Sequence, residues 1–376
     1  MRLPGRRPAA VLLLAVLTAC GGNGADGTAR PTGKAPAVAS SSAGGGTAGG
    51  GATGGGATSG GAPGRSRPTG GTPITLAFAG DVHFEGGARA ALSGGLAPIT
   101  PALSRADLTV VNLETAITVR GDREPTKAFT FRAPPSAFST LKQAGIDVVT
   151  MANNHALDYG QVGLADSLAA SREAGLPVVG AGVDEDAAFA PYLATVKGRR
   201  VAVIGATQVL DDNLVGAWTA GPGKPGLASA KNEDRLAAAV RAARTTADVV
   251  VVDLHWGTEL VPCPTVRQRL LAGKLAQAGA NIIVGSHAHI LLGGGWMQGA
   301  YVDYGLGNFA FYAHTEQTQQ SGVLTLTVQG RGVTASQWTP AYIRSGLPQP
   351  LTGAAATRAA ASWDSLRACT GLSASP

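Results

Sequence analysis

Residues 74–83 read Ile74-Thr75-Leu76-Ala77-Phe78-Ala79-Gly80-Asp81-Val82-His83, and the rest of the folded chain repeats their plan. A short, mostly apolar run has strand length, and Gly80 breaks it just before two side chains able to bind a proton or a cation. Residues 108–112, 147–151, 200–205, 249–254 and 281–284 are further Val/Ile-rich runs, mostly ending in Gly, Asn or His. Continuous apolar runs of this kind are what strands covered on both faces require.

Between these runs, residues 135–144, 160–174, 232–247 and 266–278 have helical length and spacing, and Gly145, Gly175 and Gly279 supply C-terminal stops. Strand–helix alternation predicts an α/β domain. After Tyr301 the strands 322–328 and 333–339 follow one another without clear helices, so an antiparallel sheet or edge should complete the fold. No internal repeat forces a second domain, and about 270 residues can build one large core. The resulting division is a signal segment at 1–20, a tether at 21–72, the domain at 73–345 and a polar, Ala-rich C-terminal tail at 346–376, amphipathic near Trp363 and Leu366.

Charge is distributed unevenly along the 376 residues, whose formal net charge is +6. Residues 1–72 hold seven basic side chains (Arg2, Arg6, Arg7, Arg30, Lys34, Arg65, Arg67) against Asp26, while the remainder carries 23 of each sign. A nucleic-acid binder keeps its basic excess on the folded domain, so no nucleic-acid partner is expected.

Arg2, Arg6 and Arg7 precede an apolar run from Ala9 to Leu17, too short to span a bilayer but suited to a signal-peptide core. It ends in Leu17-Thr18-Ala19-Cys20-Gly21, which resembles a bacterial lipobox and marks Cys20 for lipidation; twin-arginine export fits the flanks of Arg6-Arg7 poorly. The expectation is an extracytoplasmic lipoprotein held to the membrane by acyl chains. Residues 21–72 are almost wholly Gly, Ala, Thr, Ser and Pro, a composition for a disordered tether reaching about 40 Å. Cys263 and Cys369 then remain, either disulfide-bonded or free.

Histidine is the informative residue, because five of the six (His83, His155, His255, His287, His289, but not His314) stand just past a predicted strand beside Asp, Asn, Glu or Gly. In α/β sheets the loops after the carboxyl ends of strands converge and bind ligands, which joins Asp81/His83, Glu114, Asn154/His155, His255 and His287/His289 into one site. Asp81 and His83, two apart on an extended backbone, leave in the same direction, and His287 and His289 are expected to repeat that geometry. With Glu114, Asn154 and His255 these pairs supply about seven N/O donors, more than one tetrahedral zinc uses and suited to two bridged ions. Asp158 and Gly160 read as the start of the following helix. A serine nucleophile at Ser286 is set aside, since no Gly-x-Ser-x-Gly elbow is present.

In order, these segments resemble the calcineurin-like metallophosphoesterase superfamily, whose blocks read Asp-x-His, Gly-Asp, Gly-Asn-His-Asp/Glu, a single His and Gly-His-x-His. More closely the chain resembles the capsule-synthesis CapA (poly-γ-glutamate capsule) branch. That likeness rests on Gly80-Asp81-Val82-His83, Asn112-Leu113-Glu114-Thr115, Ala152-Asn153-Asn154-His155 with Asp158-Tyr159-Gly160, His255-Trp256-Gly257 with Glu259, Gly285-Ser286-His287-Ala288-His289, and Tyr304-Gly305-Leu306-Gly307-Asn308-Phe309. The resemblance implies a four-layer αββα sandwich and two divalent ions (Mn, Fe or Zn). It would place Asp81, His83 and His289 on one metal, Asn154, His255 and His287 on the other, Glu114 between them, and His155 as general acid. Asn112, Asp158, Glu259 and Asn308 would support the ligands from behind. Glu114 stands where the superfamily usually has Asp, and Ala288 where it has Pro. Arg120, Arg123, Lys127 and Arg132, after Glu114, read as a solvated surface loop, with anion binding as the other reading.

Two functions follow from the resemblance. One is a metal-dependent hydrolase acting on a phosphoester or anionic envelope polymer. The other is a non-catalytic accessory component of poly-γ-glutamate capsule synthesis or export, working with partner proteins of that system.

Overall fold

The computed structural model describes residues 72–376. The expected signal segment, the expected lipobox at Cys20 and the expected tether up to residue 71 lie outside the described residues.

Two sheets carry the fold. In the first, the parallel strands Ile74–Val82, Leu108–Leu113, Val148–Thr150 and Val178–Val179 lie side by side, and Gln320–Gln329, Gly332–Arg344 and Leu347–Pro350 extend it antiparallel from the far edge of Ile74–Val82. In the second, Arg199–Thr207, Val249–His255, Ile282–Ser286 and Ala300–Asp303 run parallel, with Tyr192–Val196 and Gly294–Met297 as antiparallel edges.

The alternating faces of these strands explain the layers. Ile74, Leu76 and Phe78 point one way and meet Val201, Val203, Val249, Val251, Ile282 and Val284 of the second sheet in a core between the sheets. Ala77, Ala79, Val111 and Val149 point the other way, onto Phe138 and Leu141 of helix Ser136–Gln143 and Leu164 of helix Gly160–Ala174. On the second sheet, Ile204, Val250, Val252 and Ile283 pack against Leu236 and Val240 of helix Glu233–Thr246 and Leu271 and Leu275 of helix Val266–Ala278. Three cores separate four layers, helix, sheet, sheet and helix, which is the αββα sandwich. Both faces of the central strands are buried, and this is why their sequences run apolar without polar alternation.

Residues 346–376, set apart as a tail by composition, are built into this body. Leu347–Pro350 pairs with the Gly332–Arg344 strand, and helix Gly353–Ser365 lays Trp363 flat against Trp338 with ring centroids 5.1 Å apart. Ser373 exchanges two backbone hydrogen bonds of 2.9 Å with Trp296, and Cys369 is disulfide-bonded to Cys263. Polar and Ala-rich composition hid this segment because only one side of its helix is apolar. Among the described residues no helix is long and apolar enough to cross a membrane.

Two glycines let backbones meet where the site forms. A Cβ on Gly80 would stand 1.8 Å from the Gly307 carbonyl oxygen, which accepts the Asp81 N–H at 2.9 Å. A Cβ on Gly285 would meet Trp256 Nε1 at 2.2 Å, where that N–H donates to the Tyr304 carbonyl.

Candidate metal centre

The carboxyl ends of the parallel strands of both sheets open on one region, and the site is assembled there. Asp81 is the next-to-last residue of its strand, opposite Asn112 in register, after an irregularity at Gly80. Glu114 follows the second strand, Asn153, Asn154 and His155 follow the third, and His255 ends Val249–His255. His287 and His289 come just after Ile282–Ser286, but not on the extended backbone expected of them. Their φ angles are 92° and 55°, in the left-handed region, so a turn and not a strand aims their rings.

Three groups of donor atoms result, each with its atoms within 4.8 Å of one another: Asp81, Glu114 and His289; Glu114, His255 and His287; and Glu259, His287 and His289. Glu114 belongs to the first two and is the donor they share. It is fully buried, and neither of its oxygens has a hydrogen-bond partner among the described residues. His287 Nδ1 is likewise unpartnered. Buried acceptors without donors are costly, about 1–3 kcal/mol each and more when charged, and a cation facing them removes that cost. The donor set of carboxylates and imidazoles therefore fits divalent ions on its own chemistry.

His83 stands apart from the three groups. Its ring packs on Phe311 with centroids 3.7 Å apart and faces Phe131 and Tyr312, while the backbone N–H groups of Glu85 and Tyr312 approach its two nitrogens at 3.1 and 3.4 Å. Asn154 faces the centre, its Oδ1 2.8 Å from His255 Nε2.

Supporting contacts fix the donors. Asn112 Nδ2 donates to Asp81 Oδ1 at 2.8 Å and lies 3.1 Å from His255 Nδ1, and Asn153 Nδ2 donates to Asn112 Oδ1 at 2.9 Å. Ser286 Oγ lies 3.0 Å from His255 Nδ1, and Asn308 Oδ1 lies 2.9 Å from His289 Nδ1. Glu259 is exposed at the opening.

His155 sits at the edge of the centre, its Nε2 3.9 Å from Glu114 Oε1 and its Nδ1 2.6 Å from Asp158 Oδ2. Asp158 had two expected places, at the start of the next helix and behind the ligands. That helix, Gly160–Ala174, has no side-chain cap, and Asp158 instead orients His155 while accepting from the Phe131 N–H at 2.7 Å.

The solvated-loop reading of residues 120–132 fails at Lys127. Its side chain is 7% exposed, and its Nζ lies 2.6 Å from Asp158 Oδ1 and 3.2 Å from His155 Nδ1, with the Asn154 carbonyl also accepting from it. Arg120 does follow that reading, 66% exposed and paired with Asp166, and Arg132 lies over the Tyr159 ring. Sequence reasoning named Lys127 only as a loop residue or anion binder and Asn153 only within its motif, and it missed the aromatic wall of Phe131, Phe311 and Tyr312. Asn153 had a visible signal as the neighbour of Asn154, whereas no periodicity distinguishes Lys127 from its exposed neighbours.

Burial governs the titration of the cluster. It holds the Glu114 carboxyl well above its ordinary range, helped by the Asp81 charge. Burial, then the proximity of other imidazoles, brings His287 down to about 3 and His255 well below its ordinary value. His289 is the exception. Burial opposes its charged form, but the Glu114 charge and the hydrogen bond to Asp81 outweigh it and raise the ring to about 10. In His155 burial lowers the pKa and the contact with Asp158 opposes that shift. Burial thus favours neutral His255 and His287, the forms able to ligate a cation, while the carboxylates beside His289 favour its protonated ring.

Four layers, helix, sheet, sheet and helix, with a carboxylate-and-imidazole centre where the two sheets open, define the chain as an αββα sandwich with a candidate metal centre. The chain belongs to the bacterial capsule synthesis protein PGA_cap family, which matches residues 75–313. It is 33% identical to the capsule biosynthesis protein CapA of Bacillus anthracis over 68% of this chain and 63% of that one. It is 31% identical to the PGA biosynthesis protein CapA of Bacillus subtilis over 67% of this chain and 66% of that one. The match thus spans slightly less than two thirds of each relative. A phosphatase of Mycoplasma pneumoniae superposes with a TM-score of 0.46 at 16% identity, covering 72% of this chain and 94% of that one. A 5′-nucleotidase of Candida albicans gives 0.42 at 11%, covering 78% and 58%. The fold assignment rests on the strand order and the three cores, not on these superpositions.

Proposed function

We propose that this chain is a lipid-anchored, extracytoplasmic, metal-dependent hydrolase that acts in making or processing an anionic envelope or capsule polymer. The observation that carries the reading is Glu114, a buried carboxylate with no hydrogen-bond partner among the described residues, common to two donor groups and 3.9 Å from His155. Divalent ions bound there supply Lewis acidity toward a phosphoryl or acyl oxygen and an activated water.

The chain's own residues divide the remaining tasks. Asp81, Glu114, Asn154, His255, His287 and His289 would hold the ions, and Asn112, Ser286 and Asn308 keep those side chains in place. His155, oriented by Asp158, gives its proton to the departing oxygen, and the Asp158 contact favours the protonated ring against burial. Lys127 stands on the Nδ1 side of the His155 ring and, paired with Asp158, helps hold that ring in place. The capsule context is supported by the names of the two CapA relatives, and the lipid anchor by the sequence around Cys20.

The test uses the full chain loaded with Mn²⁺ and offered p-nitrophenyl phosphate, bis(p-nitrophenyl) phosphate and a γ-linked glutamyl polymer. His155→Ala should lower kcat about 10²–10⁴-fold with metal content unchanged. Fewer than one ion per chain, or hydrolysis indifferent to His155, would refute the reading. Bound ions without turnover would favour a second reading, an accessory role. That role is supported by a Mycobacterium tuberculosis relative named "Probable polyglutamine synthesis accessory protein", 32% identical over 49% of this chain and 50% of that one. Palmitate labelling that persists in Cys20→Ser would remove the lipid anchor from the proposal.

A further inference from the structure

The two donor groups around Glu114 are closed in. Asp81, Glu114 and His255 are each fully buried, so an ion reaching them must first shed its water. Divalent ions give up water stepwise and favourably only when ligands replace it, so a buried centre needs an entry path with ligands along it.

The third group supplies such a path. Glu259 is exposed, the His289 side chain is 17% exposed and His287 is 6% exposed, so exposure falls from the opening inward. This outer group shares His287 with the Glu114–His255 group and His289 with the Asp81–Glu114 group. The shared side chains stand on the left-handed turn residues at 287 and 289, and His287 Nδ1 is buried without a hydrogen-bond partner among the described residues.

We propose that Glu259, His287 and His289 form an outer divalent-cation position that captures ions at the opening and passes them to the buried positions by exchange at the shared histidines. Because His287 and His289 serve both, the outer position is vacated as the inner ones fill, and Glu259 is not a ligand of the resident ions. The proposal rests on the reading that the buried cluster binds divalent ions.

The experiment treats the full chain with chelator, adds Co²⁺ alone, and follows its visible absorption during uptake and at saturation. Glu259→Gln should slow uptake about tenfold, with the number of ions bound at saturation unchanged. Glu85→Gln, which removes the same charge from a residue outside the three groups, should change the rate by less than about twofold. An uptake rate in Glu259→Gln equal to that of the unaltered chain would overturn the proposal. So would the loss of an ion at saturation, which would make Glu259 a resident ligand, or equal slowing by Glu85→Gln, which would reduce the effect to general charge. An unaltered chain that takes up no Co²⁺ would overturn the cation-binding reading itself, and this proposal with it.

Discussion

Replacing Lys127 by methionine measures how firmly the loop after Glu114 is tied to the centre. Methionine keeps an unbranched apolar stem beside the Trp218 ring, 5.1 Å from Nζ, and removes the ammonium shared by Asp158, His155 and the Asn154 carbonyl. Removing one partner of a buried ion pair costs about 3–5 kcal/mol when the other is left uncompensated. Asp158 keeps the His155 contact at 2.6 Å and the Phe131 N–H at 2.7 Å, which places the expected loss at the low end, about 3 kcal/mol. Urea unfolding followed by tryptophan fluorescence and circular dichroism reads this directly, and a cycle with Asp158→Asn isolates the pair. Lys127 also disfavours the imidazolium of His155, after the larger effect of burial, so His155 should titrate higher in the variant. A stability loss below about 1 kcal/mol, the range of an exposed pair, or a coupling energy near zero would refute the buried placement.

Glu114→Gln should abolish binding of at least one divalent ion, measured by metal analysis. In chelator-treated protein it should instead stabilise the fold by about 1–3 kcal/mol at pH 8. A carboxyl whose pKa is raised by folding costs stability as pH rises above its unfolded value, so this gain should shrink toward pH 4. Asp303, raised to about 7 by burial and with Oδ2 unpartnered among the described residues, follows the same sign. Asp303→Asn should therefore raise Tm at pH 8 and leave it unchanged at pH 4, since Oδ1 can still accept the Gly305 N–H. Replacing Cys263 and Cys369 by serine opens a closure of 106 residues and should lower stability by up to about 4.7 kcal/mol, read by melting with and without reductant.

Much of the fold and part of the centre were legible in the chain itself. Strands buried on both faces must be apolar at every position, so their runs stand out without alignment, and the helices between them follow from length, spacing and terminal glycines. Histidine is scarce, and its placement after strand ends converts topology directly into a site, which brought Asp81, Glu114, Asn154, His155, His255, His287 and His289 to one place. Local reasoning failed where orientation depends on distant contacts. His287 and His289 were given strand geometry that their left-handed turns do not have, and of the two readings of Asp158, helix start and support of the centre, only the second matches its contact with His155. His83 reads the same in sequence as the other four histidines, yet aromatic rings brought in from 131, 311 and 312 enclose it.

Sequence alone determined the strands and helices, because hydrophobic periodicity is a local property of each segment, and it gave the four layers only through the family resemblance. It also determined the family, because the donor residues follow one another in a fixed order. Only the tertiary structure decided which donor atoms lie within reach of one another, that Lys127 is buried against Asp158, that residues 346–376 belong to the body, and that Cys263 and Cys369 are bonded. Each of these depends on pairs of atoms far apart along the chain, and their distances exist only once the two sheets have packed together.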